Sequence, residues 1–502
     1  MSGLIGSILA TTNALKANQT AVQTAGKNMA NVNNANYSRQ RVEFGISGGI
    51  SESIITQQRD AIINSKIVAE TSVSGSLDAQ SNIYRQLQLI LGEQIIGNVD
   101  SPDTLEGSAA GDRNMQGIST AISDFFNSMH ALSTDPDSVP AKSVVIAHAE
   151  ELVKQFHSLS SDLDKLDQDV QRAINADVTK VNGLLNEIAA LNSQVAKIEI
   201  QTPGAAHEYR DLRQQKLTEL ANYMDFETTE VDNGQVLLIA RDKDANEVLL
   251  VDRARVSNRL RFNESSNELF FSSHTVQPLG PSPNATTFAI EGGRLHGHLY
   301  SRSTTDPFGG TGSIGVGPLA RMREDLDTLA REIATQVSTI YDDPGNDIFF
   351  FDDDANADAI DLSNVTAANI QLYAGDGGAI PPLNASTLRA TATTNSGANE
   401  IALAIGELST FTSPSLRGNS FTGFVSEMAT DIGFELSNTT KLLENQALVM
   451  SQLQDQRAAV SGVSIDEELA NIIRFQRSFE ASARVLQVMD ELLELVTNGL
   501  VR

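Results

Sequence analysis

The sequence predicts a mainly α-helical chain with β insertions: a long helical-bundle rod formed by its N- and C-terminal segments, carrying inserted β-rich domains. Three observations carry that expectation. Apolar residues recur every seven positions at both ends, and steps of three and four run for almost fifty residues in the interior. Between Phe226 and Leu299 the period drops to two. The chain has 502 residues, too many for one hydrophobic core.

Near the start, Ile8, Leu15, Val22 and Met29 form one line of a heptad; Leu4, Thr11, Asn18, Ala25 and Val32 form the other, half of it small or polar. A helix with so polar a seam is marginal alone in water and needs a partner. The run Asn28–Phe44, NMANVNNANYSRQRVEF, then ends the helix in asparagines and continues as a basic, strand-like stretch. Asparagine side chains bond their own backbone and tolerate left-handed conformations, which suits a turn.

At the far end, Ile472, Phe479, Leu486, Leu493 and Leu500 recur every seven residues, with Phe475, Ser482, Met489 and Val496 as companions. Ser464 with Glu467 three places on supplies a capping box at the start of this helix. The charges of the two ends are complementary: Met1–Phe44 balances at +3 and Ser464–Arg502 at −3. A weakly apolar basic helix and a strongly apolar acidic one suit each other as a pair; two unrelated amphipathic helices packing on the body are the alternative.

Inside these ends, the stripe from Leu152 through Leu163, Ile174 and Ile188 to Ile198 predicts one long helix, or two with a break. Met322, Leu326, Leu329, Ile333, Val337 and Ile340 form another after Pro318, a residue that suits a first helical turn. A third tract covers Gly423–Arg457. Between them, FETTEV, QVLLIA, EVLLV, RLRF and ELFFS read as strands, the first two joined by an Asn233–Gly234 hairpin turn. The resulting domain expectation is an axial segment 1–60 pairing with a terminal coiled-coil helix 460–502. A helical rod 61–205, completed by 317–341 and 401–459, carries a β-rich outer domain 206–316 and a small Gly/Asn/Asp-rich insertion 342–400.

Composition narrows the function. With 36 Lys+Arg against 64 Asp+Glu the net charge is −28, which argues against nucleic acid or anionic membrane as partners. There is no cysteine, hence no disulfide framework or thiolate metal site. The N-terminus lacks the basic and apolar regions of a cleavable signal, and no apolar run reaches bilayer-spanning length, so membrane insertion is not expected.

Candidate catalytic and ligand motifs are weak. Gly310-Thr-Gly-Ser-Ile-Gly315 spells GxGxxG but follows SRSTTDPF rather than a buried strand, and reads as a linker. The acidic run Asp352–Asp358 lacks the glycine and glutamate of a calcium loop, and a solvated turn is the better reading. His274, His296 and His298 are the clustered histidines; His296 and His298 sit at the spacing of a metal-binding strand but lack a third ligand, so surface histidines are expected. No GxSxG, HExxH or P-loop occurs. The expectation is a structural protein, not an enzyme, with no catalytic, metal or cofactor residues.

Asn13–Phe44 resembles the N-terminal signature of the bacterial flagellar rod, hook and hook-associated proteins, through Leu15, Gln19, Asn28, Ala30, Asn31 and Tyr37. The continuation Ser38-Arg39-Gln40 is similar to the hook-associated protein 1 family. So are 55–67, 125–163, 291–302, 326–350 and the C-terminal block 461–496; 226–290 and 351–420 match little. The family's Thr-Pro-Gly turn is replaced by Asn34-Ala35-Asn36.

The resemblance implies an exported junction subunit between hook and filament of the extracellular flagellum, allowing filament assembly and leaving the cell without a cleaved signal. Its partners would be itself in a ring, the hook protein, a second hook-associated junction protein, and a small export chaperone around 462–502. The implied assembly residues are Ile8, Leu15, Val22, Met29, Asn28, Asn31, Tyr37, Arg39, Gln40 and Arg41. The implied C-terminal seam and chaperone-binding residues are Ile472, Phe475, Phe479, Leu486, Met489, Leu493, Val496 and Leu500. A hook or rod subunit is the nearest alternative, and a cell-wall hydrolase seated in the insert a more distant one.

Overall fold

The computed structural model describes residues 2–34, 36–47, 50–92, 117–202, 204–273, 286–287, 290–304, 316–341, 350–353, 362–374, 382–391 and 398–500. The chain opens with helix α1 (Ser2–Ala30) and a hairpin of β1 (Gln40–Ser47) and β2 (Ile50–Gln57). Helices α2 (Ala61–Leu91), α3 (Ile118–Thr134), α4 (Val139–Glu199) and α5 (His207–Ala221) follow. Next come strands β3 (Glu227–Glu230), β4 (Val236–Arg241), β5 (Glu247–Asp252), β6 (Arg255–Val256), β7 (Asn258–Asn263), β8 (Glu268–Ser273) and β9 (Thr286–Thr287). Helices α6 (Gly293–Arg302) and α7 (Pro318–Tyr341) lead to β10 (Phe351–Asp352) and β11 (Gln371–Leu372). Helices α8 (Glu400–Glu407), α9 (Phe421–Ser461) and α10 (Ile465–Leu500) complete the chain. The fold is mainly α with β insertions.

Two compact units are built from interleaved segments. The first holds 1–76, 176–296 and 443–502; the second holds 77–175 and 297–442. Helices α2, α4, α6 and α9 each contribute to both.

In the first unit the strand run forms two antiparallel sheets, β3-β4-β5-β6 and β7-β8-β9. The Asn233–Gly234 turn has φ of 66° and 68°, the left-handed pair a tight hairpin turn requires. Buried Leu238, Leu250, Val251 and Leu260 mark the inner faces. Asn192 of α4 ties the helical layer to the sheet, donating to the Val236 and Arg253 carbonyls at 2.8 and 2.7 Å. Buried Arg213 of α5 donates to Asn192 Oδ1 and the Gly234 carbonyl.

The second unit gathers much of the chain's scarce aromatic content. Phe125, Phe126, Phe350, Phe351, Phe421 and Tyr341 are each fully buried, with neighbouring ring centroids 4.9 to 5.8 Å apart. The stripe of α7 closes on them through Leu326, Leu329, Ile333 and Val337, all buried.

The predicted interior stripe is one unbroken helix of 61 residues, α4, and Pro318 opens α7 as expected. The histidine expectation is corrected on two counts. His296 and His298 lie on helix α6, not on a strand, so residues two apart point to different faces. They are also buried or half-buried rather than on the surface. His296 Nδ1 sits 2.6 Å from Ser76 Oγ, and burial holds its pKa down at about 4. His274, the GxGxxG run 310–315 and most of the acidic run 352–358 lie outside the described residues. Among the described residues no group of three or more His, Asp or Glu is arranged to hold a metal, and no helix is long and apolar enough to cross a membrane.

Candidate assembly interface

The two ends of the chain meet. Thr11 of α1 contacts Met489 near the end of α10, and Asn28 contacts Glu468 near its start, so the two helices run antiparallel. On α10 Met489, one of the predicted seam residues, meets Thr11 of α1. Ile472, Phe475, Leu486, Met489 and Leu493 are half-buried and Phe479 is at the exposed limit; the side chains of Val496 and Leu500 lie outside the described residues. Phe475 meets Phe44 of the hairpin with ring centroids 6.0 Å apart.

On α1 the most buried line takes in Asn18 and Ala25 of the small and polar companion series rather than the line of Ile8, Leu15, Val22 and Met29. Ala17, Asn18, Ala21, Thr24, Ala25 and Asn28 are buried, whereas Ile8, Leu15, Val22 and Met29 are half-buried at its flank. The reason is close approach: α1 packs against the hairpin as well as α10, and small side chains let three elements converge where leucines would hold them apart.

Asn28, 1% exposed, is the hub. Its Nδ2 donates to the Gln40 carbonyl at 2.8 Å and to Glu468 Oε2 at 3.1 Å. Its Oδ1 accepts from the Gln40 N–H at 3.0 Å and the Tyr37 hydroxyl at 2.8 Å. The carboxamide thus stands in for a neighbouring strand at the first residue of β1, with its hydrogen-bonding capacity filled.

The turn between Asn28 and Gln40 is held from within. Asn31 Nδ2 donates to the Lys27 carbonyl, capping the last turn of α1, and the Asn34 side chain accepts from the Asn36 N–H in an Asx turn. Burial, together with Asp211, Glu208 and Glu468, raises the Tyr37 phenol above its ordinary range.

Arg39 joins the turn to α10. Its guanidinium donates to Glu468 Oε1 at 2.9 Å and Glu467 Oε2 at 2.7 Å, and its backbone N–H donates to the Ser461 carbonyl. Ser464 Oγ accepts weakly from the Glu467 N–H at 3.5 Å, the expected cap, while the Glu467 carboxylate is turned to Arg39. Three acidic residues in the first turn of α10 also suit the positive end of its dipole. Arg41 is exposed and lines the groove between β1 and α10.

Sequence reasoning missed the third participant. Asp211 of α5, buried, accepts from Gln57 Nε2 at 2.9 Å and from the Ser38 N–H at 3.4 Å, with Arg59 at 4.0 Å. Burial pushes its carboxyl up. His207 Nε2 lies 3.1 Å from the Ile55 carbonyl, so α5 braces the outer strand of the hairpin. An acid in a helix 173 residues from Ser38 carries no local signal of this contact.

This arrangement joins the termini and the hairpin through buried polar contacts. A family model described as the flagellar hook-associated protein FlgK helical domain matches residues 103–347. A second, described as the flagellar basal body rod FlgEFG protein C-terminal, matches 454–499 and so covers most of α10. Flagellar hook-associated protein 1 of Bacillus subtilis (strain 168) is 23% identical over 517 residues, spanning 97% of this chain and 96% of its own. The protein of that name from Escherichia coli (strain K12) is 24% identical over 595 residues, spanning 99% and 100%. Among solved structures, the flagellar hook junction protein FlgK from Burkholderia pseudomallei superposes with a TM-score of 0.54 at 14% identity, over 79% of this chain and 100% of that one. Two flagellar family models thus match its body and its terminal helix, and flagellar hook-associated protein 1 relatives align with the chain from end to end.

Proposed function

We propose that this chain is the structural subunit joining hook to filament in the bacterial flagellum, and that it forms a ring with copies of itself. The observation that carries the reading is the unfinished surface of the terminal pair. Val488 is 55% exposed and Leu495 73% exposed on α10, and Leu9 is 60% exposed on α1. A two-helix pair that leaves so much apolar surface open is built to be covered by neighbours. In the flagellum those neighbours are further copies, the hook protein on one side and a second hook-associated junction protein on the other.

Before export the same surface is a liability, and a small chaperone around 462–502 covers it. Export proceeds without a cleaved signal. The segments 206–316 and 342–400 form the outward-facing domains of the junction, and the segments 61–205, 317–341 and 401–459 form its helical rod. The chain has no catalytic role in this reading.

Cells lacking the gene test it, by electron microscopy with the culture medium assayed for flagellin. Bare hooks with unpolymerised flagellin outside are the expected result. Missing or incomplete hooks move the chain to a rod or hook role, and intact filaments refute the junction reading. Replacing Asn31 and Tyr37 by alanine is expected to leave the body folded and impair incorporation.

A further inference from the structure

Asp211 of α5 sits where three segments converge. Its Oδ2 accepts from the Ser38 N–H of the turn and from Gln57 Nε2 at the end of β2. Its Oδ1 is buried and makes no hydrogen bond among the described residues, with the Arg59 guanidinium 4.0 Å away. A buried carboxylate held so loosely is costly unless positive charge surrounds it.

The positive charge around it is unevenly engaged. Arg210, the neighbour of Asp211 on α5, is committed to Glu199 and Glu230. Arg59 donates to the Arg210 carbonyl at 3.4 Å; burial lowers its pKa, and the charge of Asp211 works against that lowering. A third arginine completes the group. Arg457 of α9 is half-buried, and its enclosed Nη2 makes no hydrogen bond among the described residues.

The place of Arg457 follows from the turn. Ser38 donates to Asp211, and the next residue, Arg39, donates to the Ser461 carbonyl of α9. Asp211 and the last turn of α9 are thus bonded to consecutive residues. Arg457 stands four positions before buried Ser461 and lies on the same face of α9. Burial lowers the Arg457 pKa, and Asp211 is the charge that offsets it. In a site closed to water, opposite charges attract without touching.

We infer that Arg457 is a positioning residue of the assembly turn: its charge, acting through Asp211, holds Ser38 and so fixes the turn that carries Asn31, Tyr37 and Arg39. Arg59 anchors the same carboxylate from the exit of the hairpin, so Asp211 gathers turn, hairpin and α9 at one point. The inference rests on the assembly role proposed for the turn. The gene-deletion experiment decides that role, whereas the exchange experiment below reads a contact within one chain and decides the inference.

Hydrogen–deuterium exchange of the purified full chain, followed at the backbone of 36–41, tests it. Arg457→Gln is expected to speed exchange there about tenfold, the loss of one charge-assisted contact, while Arg457→Lys keeps the charge and stays near the wild-type rate. Asp211→Asn is expected to give a similar rise, and Asp211→Asn combined with Arg457→Gln no more than Asp211→Asn alone. Unchanged exchange in Arg457→Gln overturns the inference. So does Arg457→Lys exchanging as fast as Arg457→Gln, or single rises that multiply when combined. Should Arg457→Gln also speed exchange along α4, the comparison with Arg457→Lys and the combined substitution decide alone.

Discussion

Removing the Asn28 carboxamide leaves the Gln40 N–H and C=O, the Tyr37 hydroxyl and Glu468 each short of a partner. Leaving buried polar groups unpaired costs about 1–3 kcal/mol each, with partial relief from water. Asn28→Ala is therefore expected to destabilise the terminal pair by roughly 2–4 kcal/mol, read as faster hydrogen exchange at Gln40 and along α1. Asn28→Asp keeps the acceptor but loses both donors and sets a second carboxylate against Glu468. Its loss should exceed that of alanine at neutral pH and shrink on acidification, as the introduced carboxylate takes up its proton.

His296 and Asp225 predict opposite pH trends in the first unit. Burial lowers the His296 pKa from 6.5 to about 4, so the unfolded chain takes up that proton first as pH falls. Its contribution is complete above pH 6.5 and is lost on descending towards about 4. Burial raises Asp225 to about 6, so its contribution is complete below its ordinary 3.8 and is lost on rising through 6. Denaturant midpoints at pH 4, 5.5 and 7 check both. His296→Asn should flatten the acid-side slope and Asp225→Asn the slope towards neutrality, each on the order of 1–3 kcal/mol.

At the scale of elements, the joint between α5 and α6 is set by backbone contact. The Arg294 and Leu295 N–H groups at the start of α6 donate to the Asn222 and Tyr223 carbonyls that end α5. One helix thus satisfies the free end of the other. Gly293 makes the approach possible: its φ is +78°, and a Cβ there would lie 2.2 Å from the Tyr223 carbonyl carbon. Gly293→Ala is expected to cost about 2–3 kcal/mol, seen as a lowered thermal midpoint, because strain and clash act together.

The identity and order of the longer strands between Glu227 and Ser273 were legible, since period two and the Asn-Gly turn are local signals. The buried line of α1 was not. Alanine, threonine and asparagine give no apolar stripe, so periodicity placed Asn18 and Ala25 in the seam without marking that line as the more buried, while the leucine, isoleucine, valine and methionine line lies at the flank. The histidine pair was assigned to a strand for the related reason that a ten-residue helix such as α6 offers too few turns to announce its period.

At the scale of the whole molecule, α1 and α10 stand or fall together. Most helical stability comes from tertiary packing of an apolar face, and α1 has the weaker seam. Truncation after Val463 should therefore remove more helix than the 36 residues of α10, taking most of the 29 residues of α1 with it. Far-UV circular dichroism of the truncated chain reads this directly, and a loss confined to the deleted residues would show that α1 folds without its partner.

The sequence by itself determined the long helical tracts, the longer strands between Glu227 and Ser273, the apolar heptad of α10, and the opposite charge of the two ends. These are properties of neighbouring residues, recorded in local periodicity and composition. Only the tertiary structure decided which face α1 buries, that Asn28 closes the edge of β1, and that Asp211 of α5 locks the turn. Each depends on partners 12 to 440 positions away. A polar side chain looks the same in sequence whether water or the end of a distant helix satisfies it, and only the packed chain determines which.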